Sequence, residues 1–450
     1  MEKDNLDWGV MKISSLFRKM FIPTLFGMML ACTMGIVDGV VVGQGVGSDA
    51  LASVNIVAPF FLITTGFGLM FGTGGGIVAS VYLSKGQKKN ANVNITQAFI
   101  SSLLVMVALS VFVMSFPDAT AGILGSNDSL LPYVRDYMKW IIPSLPFGAL
   151  LSVGLFIIRL DGSPIMAMLC NAIPAVINGI LDYVFVFPLK MGIEGAAIAT
   201  GLSHVLGAIM IAVYMAFFRK TLNIYKPKLT IRSIVAGLHD ISYQIRLGAP
   251  SMIGELAIAC MLITGNYAFM SYLGESGVAA FSVTCYCFPI IFMIGNAIAQ
   301  SAQPIISYNY GAGLESRVRQ TLKLSIAVGG FLGLLSISGG IFGNNEIVSL
   351  FIPGDDSAHI LALGGIPYFS ISFLFLILNL VFIGYFQSVE RFKVASAFML
   401  LRGFILLIPS FLILPHIAGV KGLWLAVPLS ESITTIAITL YYFIKRTITK

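Results

Sequence analysis

The stretch Met34-Gly35-Ile36-Val37-Asp38-Gly39-Val40-Val41-Val42-Gly43 sets one carboxylate in an apolar run with no other charge. An ionisable group inside a membrane-spanning helix is expensive and marks a functional site when a partner can be named. Partners lie far along the chain. Asn178 and Asp182 stand four residues apart in a second apolar run, on one helical face. Thr200 follows in the next run. These four residues read as a single polar cluster inside the membrane.

The composition fits that reading. Of 450 residues 57% are hydrophobic and only 10% are charged, against about 25% charged in a soluble domain. Roughly 20 apolar residues cross a bilayer as a helix. Twelve such runs are expected, at 17–43, 51–83, 96–116, 137–159, 165–187, 195–218, 248–272, 278–308, 322–342, 361–385, 394–414 and 422–444. The fold class is an all-α polytopic membrane protein. The first run follows Lys12, Arg18 and Lys19 without a cleavage-site pattern, so it reads as a retained span.

Basic residues set the orientation. Of the 27 Lys and Arg, Arg135, Lys139, Lys190 and Lys421 fall in one set of connecting segments and Arg402 falls in a span. The other 22 fall in the set that includes both ends of the chain, which places both termini in the cytoplasm of a cell inner (plasma) membrane protein. The net charge of +7 is thereby a topology signal and implies no nucleic acid.

The halves repeat. At an offset of 227, Pro188, Gly192, Gly195 and Ser203 fall on Pro415, Gly419, Gly422 and Ser430. Pro23, Gly27, Gly47, Ala52, Ser80 and Gly86 fall on Pro250, Gly254, Gly274, Ala279, Ser307 and Gly313. Two six-helix lobes entering from the same side form a parallel repeat, a plan common among transporters. The expected division is a first lobe over 1–218, a connector over 219–247 and a second lobe over 248–450. In the connector Ile231, Ile234, Val235, Leu238, Ile241 and Ile245 recur at helical spacing, which predicts an amphipathic helix on the cytoplasmic surface.

Other features exclude chemistry. Four scattered histidines and five cysteines without metal spacing give no enzyme centre and no bound cofactor. Cys285-Tyr286-Cys287 reads as small buried residues and not as a redox pair. The tract Gly72-Thr73-Gly74-Gly75-Gly76 lacks the Gly-Lys-Ser/Thr ending of an ATP-binding loop. Close helix packing explains it, and no ATP use is implied.

Three motifs resemble one family. Asp38 to Gly43 followed by Gly47-Ser48-Asp49-Ala50-Leu51-Ala52-Ser53-Val54-Asn55 is similar to the first-to-second-span signature of the MATE (multidrug and toxic compound extrusion) transporters. Gln300 to Ala312 resembles their eighth-span motif, and Pro250-Ser251 with Glu255 their seventh. The resemblance runs through the whole chain and looks closest to bacterial multidrug-efflux members. It implies two lobes around a central cavity, exporting small organic cations across the lipid bilayer against Na⁺ or H⁺. Asp38, Asn178, Asp182 and Thr200 match the family's amino-lobe cation site. Pro23, with Gly27 a turn later, matches the gating bend of the first helix, and Glu255 the carboxy-lobe acidic residue. One departure is Asn379, where some Na⁺-coupled members carry a tenth-span carboxylate.

For the cluster, two buried carboxyls can share a proton, or Na⁺ can sit among the oxygens of Asp38, Asp182, Asn178 and Thr200. The plainer alternative is a hydrogen-bonded network that only fixes helix packing. Glu255 either acts in coupling or substrate binding, or pairs with Arg402. Tyr286, Asn296, Gln300 and Gln303 are substrate-cavity candidates that equally suit bonding between neighbouring helices. Twenty Met and 33 Phe supply adaptable apolar surface. A related-fold flippase for lipid-linked saccharides is the alternative function, and handling its diphosphate would call for Lys or Arg in the cavity.

Overall fold

A computed structural model describes residues 6–225, 230–352 and 357–448, and every regular element among them is a helix. Eleven helices are long and apolar enough to cross a membrane. The longest, Ile231–Gly311, is two helices meeting at Gly274, where φ 66° and ψ −155° break the helical path. Twelve spans result. They are α1 Ile13–Gly45, α2 Ser48–Ser84, α3 Lys88–Ser115, α4 Leu131–Leu160, α5 Pro164–Val186 and α6 Gly192–Val213. The second set is α7 231–273, α8 275–311, α9 Glu315–Phe342, α10 Ser357–Ser388, α11 Phe392–Ala418 and α12 Val420–Ile448.

Most helices outrun the apolar runs that announced them. The polar turn Lys88–Asn94 already belongs to α3 and the segment from Leu131 to α4. Apolar composition marks the part inside the lipid, whereas hydrogen bonding carries the helix past it into water.

The offset of 227 holds in three dimensions. It carries Ser48–Ser84 onto 275–311 and Lys88–Ser115 onto Glu315–Phe342. The paired glycines of the turns adopt matching left-handed backbone: Gly47 and Gly274 (φ 122° and 66°), Gly86 and Gly313 (both 73°), Gly192 and Gly419 (61° and 58°). A side chain is disfavoured at such φ, so these glycines are the hinges of a repeated turn plan.

By packing, residues 1–255 with 307–315 form one compact unit, and 256–306 with 316–450 the other. In the first unit α2 packs on α3 and α4, α1 on α5, and α6 on α4 and α5. Association in lipid rests on close fit and not on expulsion of water, so small residues occupy the tightest crossings. The glycine tract of α2 shows this. A Cβ on Gly74 would lie 2.0 Å from the Gln244 carbonyl oxygen, one on Gly75 2.7 Å from Ala98 Cβ, and one on Gly76 2.4 Å from Phe156 Cδ1. In the second unit Gly340 and Gly365 are equally crowded, by Ser370 and Trp424.

The connector differs from expectation. Residues 231–247 do not form a separate surface helix but run unbroken into α7. Buried Gln244 anchors them, its amide donating to Asn94 Oδ1 at 2.9 Å and to the Asn94 carbonyl at 3.2 Å. Val235 and Leu238 stay exposed, while the side chains of Ile231 and Ile234 and all of residues 226–229 lie outside the described residues. Upstream, the buried carboxylate of Asp161 accepts the Tyr214 hydroxyl (2.7 Å) and the backbone amides of Lys220, Thr221 and Leu222 (2.7, 2.7 and 2.8 Å). That clasp fixes the chain as it leaves α6.

Gly74→Ala should destabilise the protein by about 1–3 kcal/mol or more through overpacking. Gly35→Ala, where a Cβ meets nothing within 4 Å, should be neutral. Thermal unfolding of the two variants in detergent, followed by size-exclusion fluorescence, checks the difference.

Candidate functional site

Three helices bring the predicted cluster together. Asp38 comes from α1, Asn178 and Asp182 from one face of α5, and Thr200 from α6. Asp182 is fully buried, and Asn178 and Thr200 are each 9% exposed. The Asn178 amide donates to Asp182 Oδ2 at 2.9 Å and to Thr200 Oγ1 at 3.4 Å. The carboxyls of Asp38 and Asp182 face each other within hydrogen-bonding reach.

A fifth residue completes the site. Tyr137 of α4 is 1% exposed and sits in the apolar cluster that also holds Val37, Val41 and Val186, the chain neighbours of Asp38 and Asp182. Asp38 Oδ1, Asp182 Oδ1 and Tyr137 Oη are all buried without a hydrogen-bond partner in the protein. Buried polar atoms are seldom left so, which sets these three atoms apart from the paired polar groups around them. No group of three or more His, Cys, Asp or Glu gathers among the described residues. Two carboxyls side by side in a dry site can hold one positive charge between them at low electrostatic cost, whereas two bare negative charges there repel.

The other predicted residues are spread out. Pro23 and Gly27 lie within α1, which stays helical through both. Asn171 donates to the Gly27 carbonyl at 3.0 Å, and a Cβ on Gly27 would touch Met168 at 3.4 Å. Glu255 is 3% exposed, and among the described residues its carboxyl enters no ion pair or hydrogen bond. Tyr286 is half-exposed and stacks on Phe351 at 5.2 Å between ring centres. Gln303, also buried, donates to Gln387 Oε1 at 3.2 Å, which is the helix-bonding alternative. Gln300 is buried and Asn296 half-buried.

The MatE family model matches residues 23–184 and again 250–412, one copy for each lobe. The chain belongs to the MatE family. Among curated proteins, this member is 25% identical to the multidrug export protein MepA of Staphylococcus haemolyticus, over 97% of this chain and 95% of that one. It is 26% identical to a protein of Shewanella oneidensis named an FAD transporter, over 96% and 95%. Among solved structures, an outward-facing multidrug-resistance MATE transporter of the MOP superfamily shares the fold at TM-score 0.90, with 18% identity over 97% of each chain. A MOP superfamily transporter from Pyrococcus furiosus does so at 0.88, with 19% identity over 97% and 96%. This MatE chain is thus a multi-pass membrane protein of a multidrug-efflux transporter family.

The second lobe holds what the sequence reading missed. Arg402 pairs with Glu431 and not with Glu255. Its Nε lies 3.0 Å from both Glu431 carboxylate oxygens and its Nη2 2.5 Å from Oε1. Asn379 donates to Glu431 Oε2 at 2.7 Å, and the Thr435 hydroxyl donates to Asn379 Oδ1 at 2.9 Å. The signal was present, since Glu431 is a lone carboxylate in the run 422–444. Tyr137 gave less warning, because one tyrosine at the start of an apolar run reads as an interfacial anchor.

Tyr137→Phe keeps the ring in its packed place and removes only the hydroxyl. We expect it to hold stability within about 1.5 kcal/mol, as volume-conserving swaps do, while lowering ion-driven transport several-fold. Tyr137→Ala should lose about 3–5 kcal/mol to the cavity it opens. Thermal unfolding together with vesicle transport separates the two effects.

Proposed function

We propose that this chain is a cation-coupled antiporter that exports amphipathic, mostly cationic organic compounds by alternating access. The observation that carries the reading is the buried Asp38–Asp182 pair with its unpartnered oxygens. Such a pair is stable in lipid only with a positive charge on it, so loading and unloading a proton or Na⁺ shifts the free energy of the surrounding helices. Asn178 directs its N–H groups at Asp182 and Thr200, an arrangement that suits a shared proton. The transported ion is cargo, and no resident cofactor or ATP enters the cycle.

Pro23 lies about four turns from Asp38 along α1. A proline removes one helical hydrogen bond and eases bending at that point. In our reading ion loading at Asp38 selects one bend state of α1 around Pro23 and Gly27, and substrate leaves as the lobes repack. The excess of basic residues in the segments with the termini supports a cytoplasmic location for both ends, in the cell membrane.

The Staphylococcus relatives named for multidrug export support a polyspecific cationic substrate. The FAD transporter among the relatives offers a second reading, an anionic dinucleotide cargo. Against it, the guanidinium deep in the second lobe is already neutralised by Glu431. The same pairing weighs against a diphosphate-carrying flippase, which the relatives do not favour either.

Asp38→Asn mimics the neutral carboxyl in shape and cannot exchange a proton. In proteoliposomes wild type should move ethidium under an imposed H⁺ or Na⁺ gradient. Asp38→Asn should reconstitute equally well and transport at least ~10-fold more slowly, the scale of losing about 1.4 kcal/mol of coupling. Wild-type transport rates in the variant would remove Asp38 from the mechanism. Movement of FAD and not of ethidium would favour the second reading.

A further inference from the structure

The two lobes answer the same electrostatic problem with different residues. At the offset of 227, Asp38, Asn178, Asp182 and Thr200 correspond to Gly265, Ile405, Pro409 and Val427, so the second lobe has no copy of the first-lobe cluster. Glu255 and Glu431 are both 3% exposed there, and around Glu431 gather Asn379, Thr435 and Arg402. The oxygens gathered here are of the type that hard cations favour. They are both Glu431 carboxylate oxygens, the Glu431 carbonyl, Asn379 Oδ1 and Thr435 Oγ1, linked by bonds of 2.7–2.9 Å. What occupies the place of the cation is the guanidinium of Arg402.

That guanidinium is specifically mounted. Residues Leu401–Ile405 form a π-helical turn inside α11, a feature that re-aims side chains and is frequent at functional sites. The Arg402 carbonyl, displaced by that turn, accepts the Ser430 hydroxyl at 2.7 Å. A Cβ on Gly403 would come 2.4 Å from Ala257 Cβ, so only glycine fits beside it. Arginine keeps its charge under all physiological conditions and grips a carboxylate with two parallel donors.

We propose that Arg402 is an internal counter-cation that permanently fills the carboxylate site at Glu431 in the second lobe. Glu431 then takes up no transported ion, and its site stays out of the coupling assigned to Asp38 and Asp182. The proposal rests on the coupling reading above. It adds that Arg402 keeps one buried carboxylate, Glu431, from taking up a transported ion. The corollary is a latent site: without the guanidinium, Glu431, Asn379 and Thr435 should bind a proton or Na⁺ from solution.

The test uses full-length protein with two variants. The paired neutral variant Arg402→Met with Glu431→Gln leaves no uncompensated buried charge and is expected to fold. Reconstituted, it should move ethidium under the gradient that drives wild type, with an unchanged ion-to-dye ratio. Loss of ion coupling in this variant, beside a coupled wild type, would overturn the proposal. Arg402→Met alone should take up one cation more per protein than wild type, read as proton uptake in weak buffer or as ²²Na⁺ binding. Adding Glu431→Gln should abolish the extra cation. No gain in Arg402→Met would also overturn the proposal. Should that variant not fold, the paired variant still decides. Should wild type respond to neither gradient, the coupling reading fails by itself, and the cation count continues to test Arg402.

Discussion

A carboxylate held inside a bilayer is costly without a positive charge beside it, and two sites in this chain bear that cost in different ways. In the first lobe Asp38 and Asp182 are brought together from α1 and α5 with oxygens that no protein donor satisfies. In the second lobe Glu431 receives a guanidinium, an amide and, through Asn379, a hydroxyl. On the proposed coupling the first arrangement takes its positive charge from outside the chain, whereas Arg402 closes the second. A transporter needs the first kind, because only a charge that arrives and departs can alternate the energies of two conformations.

The helices around these sites are arranged for close approach. The glycine tract of α2 lets α3, α4 and the start of α7 come within contact of its backbone. Polar side chains then fix what the small residues bring near, as Gln244 does on Asn94 and Asp161 on the chain after α6. A firm lobe matters for coupling, since loading an ion can move a helix only against neighbours that stay in place.

Much of this was legible in the sequence. The twelve spans followed from apolar run length, and the repeat followed from glycines whose left-handed backbone no other residue tolerates well. The carboxylates in the runs at 17–43 and 165–187 flagged the first-lobe cluster because charge is rare there. What stayed hidden depends on side-chain partnership across helices. Arg402 had two possible carboxylates at hand, Glu255 and Glu431, and spacing does not reveal which one a π-helical turn will face. Tyr137 hides because an interfacial tyrosine and a site tyrosine look alike until its neighbours are known. The helix at 231–247 follows α7 because Gln244, polar and apparently on the solvated side, is in fact buried against α3.

The most direct measurement of the central claim is ion release on substrate binding. Purified protein in a weakly buffered, Na⁺-defined solution is titrated with ethidium while proton release and bound ²²Na⁺ are followed. Competition between substrate and a single ion at Asp38 and Asp182 predicts that about one monovalent cation leaves per dye bound. The Asp38→Asn protein should bind dye and release none. Dye binding to wild type with no cation released, or equal release from the variant, would contradict a carboxyl pair that carries the coupling ion.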